Sequence, residues 1–343
     1  MRDNARPVGI VGLGSYLPER VLTNLDLERM VDTSDEWIRT RSGIRERRIV
    51  ADDQATSDLA VEAARRALAD ALLEPTDLDL IIVATLSPDM PFPATANIVQ
   101  HAIGATGVAG FDLSAGCSGF VYGLTVGAQF VATGLYRHVM VIGADALTRL
   151  TDFTDRTTCV LFGDGAGAAI LGEVPEGRGF LSFTMGGDGS GASLLRMPAG
   201  GSRRPASAET VANREHYIKM NGNEVFKFGV RALADGTLEA LQKAGYGPQD
   251  LDLLVPHQAN IRIMDAAARR LEIPWERVVS DVDRCGNTSA ASVPLALDRA
   301  RREGRLKDGA LLAFVGFGAG LTWAACTLRW TDTPAMRQQA TPA

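Results

Sequence analysis

The hydrophobic and polar positions follow two alternating patterns along most of the chain. In LAVEAARRALADALLEPTDLDLIIVATLS (59–87), apolar positions first recur at helical spacing, and a proline turn and a continuous apolar run follow. The first pattern predicts an amphipathic helix and the second a buried β-strand. Because such segments alternate along the chain, we predict an α/β protein whose mostly parallel sheets are covered by helices.

The same pattern occurs a second time. VRALADGTLEALQKAGYGPQDLDLLVPHQAN (230–260) repeats the order of helix, turn and strand, with the same DLDL word at the start of the strand. Asp77 and Asp250 open the two DLDL words, so the offset is 250 − 77 = 173 residues. RHVMVIGAD (137–145) and GALLAFVGFG (309–318) lie about as far apart.

A repeat of this length is too long for a solenoid unit. We interpret it as two homologous α/β halves, 8–175 and 176–330, with an active site between them near the strand ends. The polar, proline-containing tail TDTPAMRQQATPA (331–343) is expected to be loose.

Composition narrows the range of partners. The net charge is −6, which argues against a nucleic-acid partner. The uncharged stretch 310–328 contains a glycine cluster, which predicts a turn between two buried strands rather than a membrane span. The four cysteines form no CxxC pair and no secretory segment is apparent, so we expect no disulfide, no metal site and a cytoplasmic location.

Two glycine-rich segments are candidates for phosphate-binding loops. GIVGLGSYLPE (9–19) is interrupted by a proline where a helix would have to begin, and GDGAGAAILG (163–172) continues as an apolar strand. Both therefore fail as cofactor motifs, and we expect each to be a tight turn between strands.

Three polar residues stand where strands meet helices. Cys117, in DLSAGCSGFVYGL, precedes an apolar helix, a position that favours a nucleophile whose pKa the helix dipole lowers. His257 follows a buried strand, and Asn287 lies at a similar junction. Taken singly, they could be a packed thiol, a structural histidine and a helix cap. Together they could converge in the crevice between the halves.

A cysteine hydrolase is a rival explanation. Papain-like proteases use the same residue types in the same chain order, with the histidine about 130–150 residues after the cysteine. Here the gap is 257 − 117 = 140 residues. Against this, the local word AGCSGF differs from the protease pattern, and the internal repeat has no place in that fold.

Several motifs together resemble one known family. They are AGCSGF, VPHQANIRI, GNTSAAS, VDTSDEWIRTRSGIRERR (31–48), FGDGAG and GFGAGLTW (316–323). In this order and spacing, from about residue 8 to 330, they resemble ketoacyl-ACP synthase III of the thiolase superfamily. The resemblance implies a thiolase-like fold, in which two homologous α/β halves form a layered αβαβα core.

The resemblance also implies the chemistry. Cys117 would attack an acyl-CoA thioester and hold the acyl group, while the backbone N–H groups of Cys117 and Ala319 bind the oxyanion. Malonyl-ACP would then lose carbon dioxide, and a neutral His257 with the Asn287 amide would stabilise the enolate. The product, a 3-oxoacyl-ACP, would initiate fatty acid biosynthesis. Acyl-CoA and malonyl-ACP are substrates, and no cofactor is expected.

Substrate contacts follow from the same resemblance. Trp37 and Arg156 match positions that stack on the CoA adenine, and Thr33 and Arg41 match nucleotide or phosphate contacts. Asn260 matches a contact to the pantetheine arm. Without the resemblance, Trp37 would be a half-buried core aromatic and the arginines a solvated surface.

Two further positions concern protein partners. Arg262 matches a docking residue for the acidic carrier protein. Phe92 matches a residue that crosses a homodimer interface and closes the partner's acyl pocket, and a bulky side chain there hints at short primers such as acetyl. Cys159, Cys285 and Cys326 are expected to be structural.

Alternatives to fatty acid priming remain at this stage. The same fold could transfer the acyl group to an oxygen or nitrogen nucleophile, or could start a polyketide pathway. A cysteine hydrolase and a non-catalytic partner subunit are the more distant possibilities. The identity of the primer and of the pathway stays open.

Overall fold

The computed structural model describes residues 6–340 as alternating strands and helices. The strands, in chain order, are β1 (Val8–Tyr16), β2 (Arg20–Thr23), β3 (Glu46–Ile49), β4 (Leu80–Ala84), β5 (Ala109–Leu113), β6 (Val139–Ala146), β7 (Asp164–Glu173), β8 (Gly179–Gly187), β9 (Leu195–Arg196), β10 (Lys219–Met220), β11 (Leu253–Pro256), β12 (Leu311–Gly318) and β13 (Thr322–Arg329). The helices are α1 (Asn24–Glu28), α2 (Asp35–Ser42), α3 (Thr56–Ala71), α4 (Thr95–Ile103), α5 (Gly119–Ala132), α6 (Ala208–Ala212), α7 (Gly222–Lys243), α8 (Ile261–Arg270), α9 (Val282–Cys285), α10 (Ser292–Arg302) and α11 (Pro334–Ala340).

Two sheets repeat one topology. The first has the strand order β1-β7-β6-β4-β5, and the second has β8-β13-β12-β11. In both, the first three strands are antiparallel neighbours and the next pair is parallel. The counterpart of β5 in the second sheet is a single parallel bridge between Leu254 and Val278. The chain passes from one sheet to the other between Glu173 and Gly179.

The elements form five layers. Helices α3 and α4 pack on the outer face of the first sheet, and α7 packs on the outer face of the second, where it also contacts α8. Helices α5 and α10 lie between the sheets, where Phe120 and Leu297 belong to one core shared by both. This αβαβα arrangement is the predicted fold.

The 173-residue offset reappears as structure. The short 3-10 helices Pro75–Asp77 and Pro248–Asp250 lie just before β4 and β11. The turns Gly116–Ser118 and Ser289–Ala291 lie just before α5 and α10. In this register Cys117 corresponds to Ala290, since 117 + 173 = 290, so only the first copy of the turn carries a thiol.

The prediction of tight turns at the glycine-rich words was wrong. Residues 9–14 lie inside β1, and 164–172 lie inside β7. A Cβ atom at Gly12 or Gly14 would lie 2.5 Å from the Ala67 carbonyl oxygen or 2.4 Å from that of Ala63. Glycine is needed there because α3 lies directly against the strand, and not because the backbone turns.

The uncharged stretch 310–328 forms an antiparallel hairpin, as predicted. Strands β12 and β13 pair along their lengths, from Leu311 opposite Arg329 to Gly318 opposite Thr322. Among the residues that the structure describes, no helix is both long and apolar enough to cross a membrane.

The expected loose tail is attached to the molecule over its described part. Thr331 and Thr333 are buried, and the Thr333 hydroxyl donates to the Asp70 carboxylate at 3.1 Å. Helix α11 follows, and Met336 packs against the core shared by the two sheets. Residues 341–343 of the predicted tail lie outside the described residues.

A buried ion cluster joins the two halves. The carboxylate of Asp298, on α10, is 1% exposed and accepts hydrogen bonds from Ser15 at 2.5 Å, Arg301 at 2.6 Å and Arg302 at 2.5 Å. Arg301 also forms a 2.6 Å ion pair with Asp70, on α3. Because these partners come from both halves, the cluster opposes their separation.

We predict that Asp298→Asn lowers the free energy of unfolding by about 1.5–3 kcal/mol, because it weakens buried hydrogen bonds to a charged group while Arg301 keeps its ion pair with Asp70. Asp265→Asn, which removes an exposed i,i+4 ion pair with Arg269, serves as the matched control and should cost less than about 1 kcal/mol. Urea unfolding followed by circular dichroism measures both. Equal losses would show that the cluster contributes no more than a surface pair.

Candidate active site

Cys117 occupies the middle of a 3-10 turn, Gly116–Ser118, that leads directly into α5. The turn requires glycine at position 116, where φ is +59° and a Cβ atom would lie 2.7 Å from the Ala319 nitrogen. A Cβ atom at Gly318 would in turn lie 2.3 Å from the Cys117 nitrogen. The turn that contains Cys117 is therefore pressed against the end of β12.

Two hydroxyl groups link this turn to β13. Ser118 Oγ lies 2.6 Å from the Ala115 carbonyl oxygen and 2.9 Å from Thr322 Oγ1. Thr322 Oγ1 lies 2.8 Å from the Ala115 carbonyl and 3.1 Å from that of Ala319. This network holds the segment containing Ala319 beside Cys117.

His257 follows β11 and is 1% exposed. Its backbone N–H donates to the Val315 carbonyl at 2.8 Å, and its ring meets the Phe317 ring edge-on at a centroid distance of 5.3 Å. Its Nδ1 atom lies 2.6 Å from the hydroxyl oxygen of Ser292, the first residue of α10. The ring is thus fixed from several sides.

Asn287 lies between α9 and α10, and its backbone makes a parallel bridge to Phe162. Its Oδ1 atom accepts the Ser289 backbone N–H at 2.9 Å. The expectation that Asn287 is a helix N-cap was wrong, because Thr288 holds that position for the turn Ser289–Ala291 and Ala291 holds it for α10. With the oxygen engaged, the Nδ2 amide hydrogens are the end available to a ligand.

One cavity brings the three residues together. It encloses about 210 Å³, and Cys117, His257 and Asn287 all line it. Phe226, Phe317 and Asn260 line it as well. The convergence expected from the strand ends is therefore found in the structure.

Cys117 also lines a second cavity. It encloses about 220 Å³, and it is lined mainly by apolar side chains that include Leu86, Leu147 and Ile218. Ala319 and Ser289 reach it beside the thiol. Cys117 thus lines both cavities. We call the first the polar cavity after His257, Asn260 and Asn287, although most of its lining is apolar, and the second the apolar cavity. A group attached to the sulfur could extend into the apolar cavity.

Burial sets the protonation of Cys117 and His257. It raises the pKa of the Cys117 thiol to about 12 and lowers the pKa of His257 to about 3. We expected the helix start to lower the thiol pKa, and in the free protein the loss of solvent outweighs that effect. The resting pair is therefore a neutral thiol and a neutral imidazole.

The predicted CoA contacts cluster beside the polar cavity. Asn260 lines the cavity, caps α8, and donates from Nδ2 to the Arg41 carbonyl oxygen at 2.9 Å. The Arg41 and Arg156 guanidinium groups lie 6.0 Å and 5.2 Å from the centre of the half-buried Trp37 ring. Thr33 lies nearby in sequence, and its buried hydroxyl has no hydrogen-bond partner among the described residues.

Arg262 also lies near this opening. Its guanidinium is 5.6 Å from the centre of the Phe226 ring, which lines the polar cavity. Phe92 behaves differently: it is 84% exposed and lines neither cavity of its own chain.

Sequence reasoning missed several residues of the site. Ser289 and Ser292 fall within the GNTSAAS motif, but no role was assigned to them. The fully buried Asp145 accepts hydrogen bonds from the backbone N–H groups of Leu86 at 2.8 Å and Ala290 at 3.3 Å. The remaining cysteines are free and buried, and in the described part of the chain no three metal-ligating side chains form a group.

Comparison with known families gives two matches. A family model described as 3-Oxoacyl-[acyl-carrier-protein (ACP)] synthase III matches residues 111–196. The model for the C-terminal part of the same family matches residues 241–330. The first range contains Cys117, and the second contains His257 and Asn287.

Individual relatives match over nearly the whole chain. Proteins named beta-ketoacyl-[acyl-carrier-protein] synthase III from Caldanaerobacter subterraneus subsp. tengcongensis and Symbiobacterium thermophilum are 58% and 59% identical to it, covering 94% and 95% of the chain and 98% of each relative. The solved synthase III from Thermus thermophilus is 49% identical, with a TM-score of 0.88 over 95% of this chain and 100% of that one. A priming β-ketosynthase from the R1128 polyketide pathway is 38% identical, with a TM-score of 0.89 over 96% and 98%.

Because burial keeps the Cys117 thiol protonated in the free protein, we predict that its alkylation by iodoacetamide is slow at pH 7. The rate should rise about tenfold per pH unit up to pH 9, as the thiolate fraction does below the pKa. Peptide mass spectrometry locates the adduct, and Cys117→Ser gives the background. A rate that levels off below pH 8 would instead show a thiolate paired with an imidazolium.

Proposed function

The chain belongs to the beta-ketoacyl-[acyl-carrier-protein] synthase III family of condensing acyltransferases, and on this basis we propose that Cys117, His257 and Asn287 carry out its condensation. The reaction joins an acyl-CoA primer to malonyl-ACP, releases carbon dioxide and gives the 3-oxoacyl-ACP that initiates fatty acid biosynthesis. The observation that carries the assignment of residues is the single cavity lined by all three.

The first step is transfer of the acyl group to Cys117. The sulfur attacks the thioester carbonyl of acyl-CoA, the carbon–sulfur bond to CoA breaks, and the thiol proton leaves with the CoA sulfur. The negative oxygen of the intermediate would be bound by the backbone N–H groups of Cys117 and Ala319. Their proximity across the turn, and the hydroxyl network that fixes it, support this role.

The second step is condensation. Malonyl-ACP loses carbon dioxide, and the electrons of the broken bond form an enolate whose oxygen needs hydrogen-bond donors. A neutral His257 and the Asn287 amide supply them in the polar cavity. The enolate carbon attacks the acyl carbonyl, the bond to sulfur breaks, and the Cys117 thiolate that is released takes up one proton from solvent.

The surroundings of the cavity fit the two substrates. An aromatic ring flanked by two cationic groups, Trp37 with Arg41 and Arg156, suits stacking of adenine and pairing with phosphate, while Thr33 lies close by in sequence. Asn260 would contact the pantetheine arm, and Arg262 would meet the acidic carrier protein. Since acyl-CoA and malonyl-ACP supply all reacting groups, the cycle needs no resident cofactor. Such substrates and the free cysteines suit a cytoplasmic location.

A homodimer would complete the molecule. Among the described residues β5 pairs only with β4, so one edge of the first sheet is open, and Phe111 on this strand is 38% exposed. Phe92 is exposed on the loop that begins near Leu86 of the apolar cavity. Pairing of two β5 edges would cover these groups and bring Phe92 towards the partner's cavity.

A polyketide starter enzyme is the second candidate. The likeness to the R1128 priming ketosynthase favours it, because that protein shares the fold at 38% identity. Both candidates use the same cysteine chemistry and differ in primer and pathway. A cysteine hydrolase is not supported, since the relatives are condensing enzymes over the whole chain.

We predict that acyl-CoA adds one acyl group to Cys117, seen as a gain in intact mass, and that malonyl-ACP removes it with formation of 3-oxoacyl-ACP. Cys117→Ala should abolish loading, whereas Cys159→Ala, outside both cavities, should load normally. His257→Ala and Asn287→Ala should still load but condense at least about 100-fold more slowly. A panel of acyl-CoAs of rising length identifies the primer, and an adduct that persists after malonyl-ACP would contradict the condensation.

We also predict that the chain is a dimer in size-exclusion chromatography with light scattering. Phe111→Asp places a charge on the β5 edge and should shift the mass to that of a monomer with reduced activity. Leu135→Asp, at an apolar residue that lies outside β5 and is 64% exposed, should leave the dimer intact. A monomeric wild type would refute the β5 interface.

A further inference from the structure

The condensation step places a demand on the tautomer of His257. A neutral imidazole carries one proton, so one ring nitrogen donates and the other accepts. To donate to an enolate oxygen in the cavity, Nε2 has to carry the proton and Nδ1 has to accept. A partner that donates to Nδ1 would select this tautomer.

Ser292 has the geometry of such a partner. Its hydroxyl oxygen lies 2.6 Å from Nδ1 of His257, and both residues are 1% exposed. The same oxygen accepts the backbone N–H of Gln258 at 3.2 Å. The hydroxyl has one hydrogen, and among the described residues its hydrogen-bond partner other than that N–H is Nδ1.

The opposite arrangement is less favourable. If Nδ1 carried the proton and donated to Ser292, the oxygen would accept two hydrogen bonds and its own hydrogen would be buried without an acceptor. Such an unsatisfied donor is costly in a buried site. The contacts therefore favour donation from Ser292 to Nδ1.

The surroundings hold Ser292 in place. Gln258, whose N–H it accepts, is fixed at its own side chain by the Pro256 carbonyl at 2.7 Å, the Val279 carbonyl at 3.0 Å and the Asp281 N–H at 2.8 Å. Ser292 itself begins α10, in the layer between the sheets. These contacts hold Ser292 and Gln258 beside His257.

We propose that Ser292 is a positioning residue for the condensation: its hydroxyl donates to Nδ1 of His257 and so keeps Nε2 protonated and directed at the enolate oxygen. The inference rests on the proposed function. It has a further consequence, because an Nε2–H tautomer has no free lone pair in the cavity. His257 is then a donor to the enolate and not the base that ionises Cys117, so acyl loading does not depend on Ser292.

The test separates the two half-reactions. Ser292→Ala should load acyl-CoA onto Cys117 within about twofold of wild type, while decarboxylation of malonyl-ACP and condensation fall roughly 10- to 100-fold at unchanged KM for malonyl-ACP. Ser292→Thr, which retains the hydroxyl, should recover most of the rate. Ser182→Ala removes a buried hydroxyl that is hydrogen-bonded to Thr327 and to the Ala240 carbonyl and lines neither cavity, so it should leave both half-reactions unchanged.

A spectroscopic readout does not depend on activity. In protein labelled with ¹⁵N-histidine, the His257 signal, assigned by its loss in His257→Ala, should show a protonated Nε2 and an unprotonated Nδ1 in the wild type. In Ser292→Ala the two tautomers should mix. A wild-type His257 protonated at Nδ1, or a Ser292→Ala protein that condenses at the wild-type rate, would overturn the proposal. A wild type that loads but never condenses would refute the proposed function instead.

Discussion

The contact between the turn Gly116–Ser118, which contains Cys117, and the end of β12 is the constraint on which the rest of the site depends. At Gly116 and Gly318 the two segments approach until no Cβ atom fits between them, and the hydroxyls of Ser118 and Thr322 fasten them together. One segment belongs to the first half of the chain and the other to the second. The thiol, the backbone donors and the two cavities are in register only because the halves meet at this point.

Burial is the second determinant. It raises the pKa of Cys117 and lowers the pKa of His257, because in each case it disfavours the charged form. It keeps the Cys117 thiol protonated and the His257 imidazole unprotonated, so the free enzyme holds two neutral groups side by side. A neutral imidazole can still donate a hydrogen bond to an enolate oxygen through its one N–H group.

Much of the architecture could be predicted from the sequence, because periodicity and the repeated DLDL words are local signals. The motifs around Cys117, His257 and Asn287 likewise indicated residues that the fold brings into one cavity. Other features depend on what lies opposite a residue in space. The glycines of β1 predicted turns because the sequence does not show that α3 packs against this strand. The predicted lowering of the Cys117 pKa was wrong because a position at a helix start does not show how far the thiol is buried. Ser292 belongs to the GNTSAAS motif, but its hydrogen-bond partner, His257, lies 35 residues away in sequence.

The ion cluster around Asp298 bears on how the duplicated chain can be handled as a whole. Its members come from β1 and α3 in the first half and from α10 in the second. The helix layer between the sheets likewise packs against both of them. The two halves therefore share one core and one ion cluster, although each has its own sheet. Expression of the two halves as separate fragments would expose the apolar surface that they share and would separate the charges of the ion cluster. A chimera of halves from two relatives would therefore have to match both the shared core and the ion cluster.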